Sequence, residues 1–231
     1  MRKRHVRIAA SMACADFVNL GQVVRNLELA KVDILHFDFC DGHFAPTFLF
    51  SCPILRALRP LTTSRFDAHL YCDYPSRYLE ELYDCGTNLV IVQVESKENY
   101  RDVIKKILRK GMKAGVGILP GSYIPVNIEG ILPEVSLIII NTVGPAYSGQ
   151  PFDARGLRNM KNLQKIIAAE RYETAIGADG GVTINRIGSF LSAGANLLVC
   201  GSKSIFSDNV NLMEAVKIVR NEINSKVEHS T

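Results

Sequence analysis

Residues 6–17 read VRIAASMACADF, and this stretch separates the two folds that the rest of the chain allows. Its apolar part predicts a strand near 6–12. The first strand of an open, doubly wound α/β sheet normally leads into a glycine-rich loop. Here the strand leads into Cys14, Ala15, Asp16 and Phe17, which contain no glycine. The stretch therefore favours a closed barrel over the open sheet.

The remaining pattern repeats one unit, a short β-rich run followed by a segment of helical periodicity. Strands are predicted near 6–12, 34–39, 65–70, 88–94, 112–118, 135–142, 174–179 and 195–200. The intervening helical segments include Leu20–Lys31, Pro75–Cys85, Tyr100–Lys110, Arg155–Glu170, Asn185–Ala193 and Asn209–Asn224. Eight such units predict an α/β fold, a (β/α)₈ TIM barrel, with residues 1–231 as a single domain. In the last segment the apolar residues from Val210 to Ile223, including Met213 and Ile218, fall on one broad stripe that we expect to face the barrel.

Composition narrows the classes of function. The chain has 231 residues, of which 47% are hydrophobic, and its net charge is only +4, so a disordered chain is excluded and a nucleic-acid partner is not indicated. No apolar run is long enough for a membrane span, and none at the start resembles a secretory signal. The six cysteines show no CxxC spacing. We therefore expect free thiols in a cytoplasmic protein.

Polar side chains alternate with apolar ones on three strands. His36 and Asp38 share one face of the second strand, His69 follows on the third, and Asp179 ends the seventh. Active sites of such barrels form at the carboxyl ends of the strands, where these four would converge. Any one alone is best explained as a hydrogen-bonded interior group. Two imidazoles and two carboxylates together predict a metal site for Zn²⁺, Fe²⁺ or Mn²⁺, with Asp67 as a residue that orients a ligand.

Glycine-rich loops follow the last three strands and predict a phosphate site. Gly180 and Gly181 follow the seventh strand, Gly201 and Ser202 the eighth, and residues 144–150 the sixth. Barrels commonly bind phosphate on free backbone N–H groups at these loops. Each loop alone is better explained as an ordinary tight turn, but three loops in this order favour phosphate. No lysine ends a strand, which disfavours Schiff-base chemistry.

The sequence resembles the ribulose-phosphate 3-epimerase family from about Ser11 to Phe206. The resemblance is carried by ADF at 15–17, HFDFCDGHF at 36–44, DAHL at 67–70, GMKAG at 111–115, PG at 120–121, SGQPF at 148–152, DGGV at 179–182, AGAN at 193–196 and GS at 201–202. The long HxDxxDGHF match is the specific one, whereas DGG or AGA alone would be weak.

The resemblance implies an isomerase with a TIM barrel of the ribulose-phosphate-binding type. It implies one divalent metal ion (Zn²⁺, Fe²⁺, Mn²⁺ or Co²⁺) held by His36, Asp38, His69 and Asp179, with Asp38 and Asp179 as the acid–base pair. The implied substrate is a phosphorylated ketose, most simply D-ribulose 5-phosphate, epimerised at C3 to D-xylulose 5-phosphate through an enediolate. It also implies carbohydrate metabolism through the pentose phosphate pathway and a homo-oligomer, either dimer or hexamer. The phosphate and substrate contacts are expected from Cys14, Ser148, Gly149, Gly180, Gly181, Gly201 and Ser202.

The chain departs from the family at the sugar end of the expected pocket. The family usually has Ser at Cys14, Met at Cys40, Tyr71 and Asn141, and His at Gln93, and its loop differs at 144 and 146–148. Two alternatives therefore stay open. One is a 3-epimerase of another ketose phosphate such as D-allulose 6-phosphate, because the enzymes that act on it can carry Cys at the position of Cys14. The other is a barrel that binds a sugar phosphate without turnover. Phosphate-barrel decarboxylases use an Asp-x-Lys pair, which the sequence Asp38-Phe39-Cys40 lacks.

Overall fold

A computed structural model describes residues 5–145, 150–207 and 210–228. Eight parallel strands close a barrel in chain order, with the last pairing back to the first. They are β1 (Arg7–Ser11), β2 (Ile34–Cys40), β3 (Arg65–Tyr71), β4 (Leu89–Gln93), β5 (Lys113–Ile118), β6 (Leu137–Asn141), β7 (Ala175–Asp179) and β8 (Leu197–Cys200). All eight predicted strands and the TIM-barrel fold are confirmed.

Seven α-helices are found in the described residues, and they lie outside the barrel. They are α1 (Leu20–Leu29), α2 (Cys52–Leu58), α3 (Leu79–Asp84), α4 (Tyr100–Arg109), α5 (Arg155–Glu170), α6 (Ile187–Ser192) and α7 (Leu212–Glu228). Between β5 and β6 the chain forms only a 3₁₀ turn, Ile128–Ile131. No helix in the described ranges is both long and apolar enough to cross a bilayer.

The last helix corrects one prediction. α7 begins at Leu212 rather than at Asn209, which lies outside the described residues, and it continues to Glu228. Met213 and Ile218 are 49% and 38% exposed, so the broad stripe predicted from the sequence was wrong. The buried face of α7 is narrower and includes Ala215, Val216, Val219, Ile223 and Val227. A stripe this narrow suffices because α7 packs against the barrel along one side only.

The core has two apolar layers separated by the strands. The larger lies between strands and helices and contains the outward residues of β2, namely Leu35, Phe37 and Phe39. The smaller fills the barrel interior with Ala9, Ile34, Leu89, Ile91, Leu137, Ile139, Ala175, Leu197 and Val199. Because successive side chains of a strand point to opposite faces, His36 and Asp38 follow Ile34 into the interior. The apolar interior ends where these polar side chains begin.

Candidate metal centre

Three buried side chains and one partly buried side chain converge above the apolar interior of the barrel. His36 and Asp38 come from β2, His69 from β3 and Asp179 from the end of β7. One ligand atom from each lies within 4.8 Å of all the others. His36 Nε2 is 3.1 Å from Asp38 Oδ1 and 3.9 Å from Asp179 Oδ2. The parallel register of β2 and β3 aligns His36 with Asp67 and Asp38 with His69, which places the two histidines and Asp38 side by side.

The imidazole of His69 supplies a test of whether the cluster suits a cation. Its Nδ1 atom is buried and has no hydrogen-bond partner among the described residues. The same atom faces Asp179 Oδ2 at 3.5 Å and Asp38 Oδ1 at 3.7 Å, both too long for a hydrogen bond. An unpaired buried nitrogen aimed between two carboxylate oxygens fits a shared divalent cation, and this N₂O₂ donor set suits a transition metal.

The other histidine is oriented from below by Asp67. His36 Nδ1 lies 2.8 Å from Asp67 Oδ1, and both side chains are essentially buried. This contact orients the ring and directs Nε2 at the cluster. Burial lowers the pKa of His36, but the charges of Asp67 and Asp38 outweigh it and raise that pKa well above its ordinary value. The cluster therefore attracts positive charge strongly.

The orientation of the Gln93 amide fixes the proton of His69. With its nitrogen towards His69 Nε2, at 2.8 Å, the amide oxygen would face only acceptors. With the amide turned, its oxygen accepts from His69 Nε2–H, and its nitrogen donates to Gly117 O and Glu95 Oε2, each at 2.9 Å. We assign the turned amide because both polar groups of Gln93 then face hydrogen-bonding partners, and its oxygen also lies 3.1 Å from Asn141 Oδ1. His69 Nδ1 is then a lone pair, as a ligand requires.

Asp179 is held by Tyr71 and Asn141, two of the positions at which the sequence is expected to depart from the family. Tyr71 OH donates to Asp179 Oδ2 at 3.1 Å, and Asn141 Nδ2 donates to the same oxygen at 3.1 Å. Asn141 also donates to Tyr71 OH at 2.6 Å. Burial raises the pKa of Asp179, but hydrogen bonds and the charges of His36 and His69 bring it below its ordinary value. The surroundings of the carboxylate therefore favour its ionised form.

A pocket opens above the cluster, and most of the predicted contact residues line it. Cys14, Tyr71, Asn141, Gly180, Gly181, Gly201 and Ser202 are among its lining residues, together with Asp38 and Asp179. Ser148 and Gly149 lie outside the described residues. Cys40 is buried at the end of β2 and is not part of the lining.

Among the polar lining residues, sequence reasoning missed Ser11 and Lys203. The position of Lys203 directly after Gly201-Ser202, in the loop that follows β8, was a usable signal. Its exposed ammonium adds positive charge beside the glycine loops.

Packing requires glycine at the loop that follows β7. Gly180 has φ +86°, and a Cβ there would lie 2.3 Å from Val143 Cγ2. Gly181 has φ +61°, and its Cβ would lie 2.8 Å from the Phe152 ring. These contacts explain both glycines as parts of a tight turn. Because neither residue has a side chain, no side chain of theirs covers the loop backbone on the side of the pocket.

The two thiols expected near the substrate are held protonated. Burial raises the pKa of Cys40 to about 12, and the charges of Asp38 and Asp41 add to this shift. Burial also raises the pKa of Cys14. All six cysteines are free in the structure. Neither Cys14 nor Cys40 is therefore activated as a nucleophile, because nucleophilic attack needs the thiolate.

Comparison with known proteins shows the family of the chain. The model of the ribulose-phosphate 3 epimerase family matches residues 7–206. The chain belongs to this family. Members of the family are epimerases, so the isomerase class expected from the sequence is confirmed.

Individual relatives cover nearly the whole barrel. A ribulose-phosphate 3-epimerase of Bacillus subtilis is 32% identical over 198 residues, which are 85% of this chain and 91% of that protein. The cytoplasmic isoform of Oryza sativa subsp. japonica is 34% identical over 208 residues, 87% of each chain. Among solved structures, phosphoribosyl anthranilate isomerase from Thermus thermophilus superposes with a TM-score of 0.64 at 11% identity and covers 95% of this chain and 98% of its own. That structure supports the fold alone.

Proposed function

We propose that the protein, as one barrel domain with a bound divalent metal ion, interconverts D-ribulose 5-phosphate and D-xylulose 5-phosphate. The observation that carries the proposal is the set of four ligand atoms within 4.8 Å at the carboxyl ends of the strands. The names of the relatives support the substrate. Binding of a sugar phosphate without turnover is disfavoured, because both carboxylates expected to transfer protons are among these four residues.

Two residues would transfer the proton. Asp38 and Asp179 come from β2 and β7, which are separated in the barrel by β1 and β8, so their carboxylates approach the pocket from different sides. One would remove the C3 proton, and the other, protonated, would deliver a proton to the opposite face of the carbon. The two must hold different protonation states at the same time, so we expect them to titrate as a coupled pair.

His36, Asp38, His69 and Asp179 would hold the metal. When bound, a divalent cation supplies Lewis acidity that favours loss of a proton next to a carbonyl group. The chain itself prepares the ligands: Asp67 orients His36, Gln93 orients His69, and Tyr71 with Asn141 orients Asp179. The substrate's phosphate would bind at the glycine loops after β7 and β8, with Lys203 beside them.

D-Allulose 6-phosphate is a second candidate substrate because of one residue. Cys14 lines the pocket where the family usually has Ser, and D-allulose 6-phosphate 3-epimerases can carry Cys at this position. Pentulose and hexulose phosphates share the same reaction at C3, so the metal cluster does not distinguish them.

The test is a comparison of kcat/KM for D-ribulose 5-phosphate and D-allulose 6-phosphate with the metal-loaded protein. We expect the pentulose phosphate to be preferred. A preference for the hexulose phosphate would support the second candidate and would leave the mechanism intact. Activity on neither would contradict the proposal.

A further inference from the structure

A second cavity lies at the opposite end of the barrel from the metal cluster. Its volume is about 450 Å³, against about 150 Å³ for the pocket above the cluster. The first residue of each of six strands lines it, namely Arg7, Ile34, Arg65, Leu89, Lys113 and Leu137. We call this space the N-terminal cavity. Its volume falls within the range of small-molecule sites.

The lining of the N-terminal cavity is strongly cationic. Arg7, Arg65 and Lys113 stand two positions before interior residues of β1, β3 and β5, so their side chains start on the inner face of the barrel. In the described part of the chain, no side-chain hydrogen bond or ion pair engages any of the three. Asp67 is the one carboxylate of the lining, and it is already in contact with His36. The lining therefore carries a net charge of +2.

Two further features indicate that a ligand is missing from this arrangement. Arg7 is half-buried, and burial lowers its pKa; the charge of Asp33 opposes this shift, and the like charge of Arg65 adds to it. Thr87 Oγ1, also in the lining, is buried without a hydrogen-bond partner among the described residues. A bound anion would offset the repulsion between the cations and accept a hydrogen bond from the hydroxyl group.

We propose that the N-terminal cavity binds a small dianion of the phosphate monoester class. A dianion matches the net charge of +2, and guanidinium groups present paired N–H donors that fit phosphate oxygens. This site is separate from the one proposed for the substrate's phosphate, because that one lies at the loops after β7 and β8 on the other mouth of the barrel.

The test uses inorganic phosphate as the probe, titrated calorimetrically into the full protein at constant ionic strength and about pH 8, where phosphate is a dianion. The variant R65Q/K113Q removes two exposed cations of the cavity. The control K105Q/K217Q removes the same charge from α4 and α7, where the two lysines are 57% and 68% exposed. Turnover by both variants shows that the barrel is folded.

The proposal requires a binding event that the wild type and K105Q/K217Q share and that R65Q/K113Q loses or weakens by roughly tenfold or more. Binding of phosphate at the metal-site end of the barrel would persist in all three proteins, which distinguishes it from binding in the N-terminal cavity. Identical isotherms for R65Q/K113Q and the control would overturn the proposal. So would the absence of any event in the wild type.

Discussion

Replacement of Asp179 by asparagine separates the roles assigned to the two carboxylates. The side chain is 14% exposed, and its Oδ2 accepts from Tyr71 OH and Asn141 Nδ2. Asparagine has the same shape, and its amide oxygen can accept the same two hydrogen bonds. That oxygen still faces the cluster, but it is neutral and therefore a weaker metal ligand than a carboxylate, and the amide cannot take up or deliver a proton. We therefore expect a folded protein that has lost one of its two proton-transfer groups.

The expected loss follows from the role as a general acid or base. Such a group contributes roughly 10²- to 10⁴-fold in rate, or about 3–5 kcal/mol at 1.36 kcal/mol per factor of ten. Asp179→Asn should lower the rate of epimerisation by at least this factor even with metal in excess, because the remaining carboxylate reaches only one face of C3. Asp38→Asn should show a loss of the same order.

The assay follows epimerisation and solvent deuterium uptake at C3 by proton NMR, together with the metal content of each variant. Asp38→Asn and Asp179→Asn should each retain exchange for one epimer only, and the two variants should retain it for different epimers. Asp102→Asn, at a 63% exposed position on α4, is the matched control and should behave as wild type. A near-normal rate of epimerisation in either active-site variant would refute the two-carboxylate mechanism.

Three further substitutions test other parts of the site. Tyr71→Phe removes the hydroxyl donor to Asp179 and should lower the free energy of unfolding by about 1–2 kcal/mol in chemical denaturation, with a reduced kcat; unchanged values would remove Tyr71 from the positioning network. Gly180→Ala should destabilise by roughly 1–3 kcal/mol, because φ is +86° and the new Cβ would approach Val143 at 2.3 Å; a stability equal to wild type would contradict the packing argument. Cys14→Ser should raise the ratio of kcat/KM for D-ribulose 5-phosphate over D-allulose 6-phosphate, and no change in this ratio would exclude Cys14 as a determinant of specificity.

Much of the fold was predictable because its signal is local. Each strand is a short apolar run, and closure of eight such units follows from their number. The convergence of His36, Asp38, His69 and Asp179 was also predictable, because strand alternation and the common carboxyl end of parallel strands determine it. The buried stripe of α7 was overestimated, since apolar composition does not say which side of a helix meets the barrel.

Contacts between distant strands could not be read from the sequence. The link from Tyr71 through Asn141 to Asp179 joins β3, β6 and β7, and it depends on rotamers and on the diameter of the barrel. The N-terminal cavity, unlike these contacts, was predictable from the sequence. The inward placement of Arg65 and Lys113 at strand starts follows from the same alternation that gave the metal site, so the sequence contained that signal.

Exchange of the C3 proton of D-ribulose 5-phosphate in D₂O tests the central claim most directly. The metal-loaded protein should incorporate one deuterium at C3 and form D-xylulose 5-phosphate, and both changes should stop on chelation and return when a divalent metal is restored. Full activity in the chelated, metal-free protein would contradict the metal-dependent mechanism. The absence of exchange with any ketose phosphate, despite bound metal, would contradict the proposed function itself.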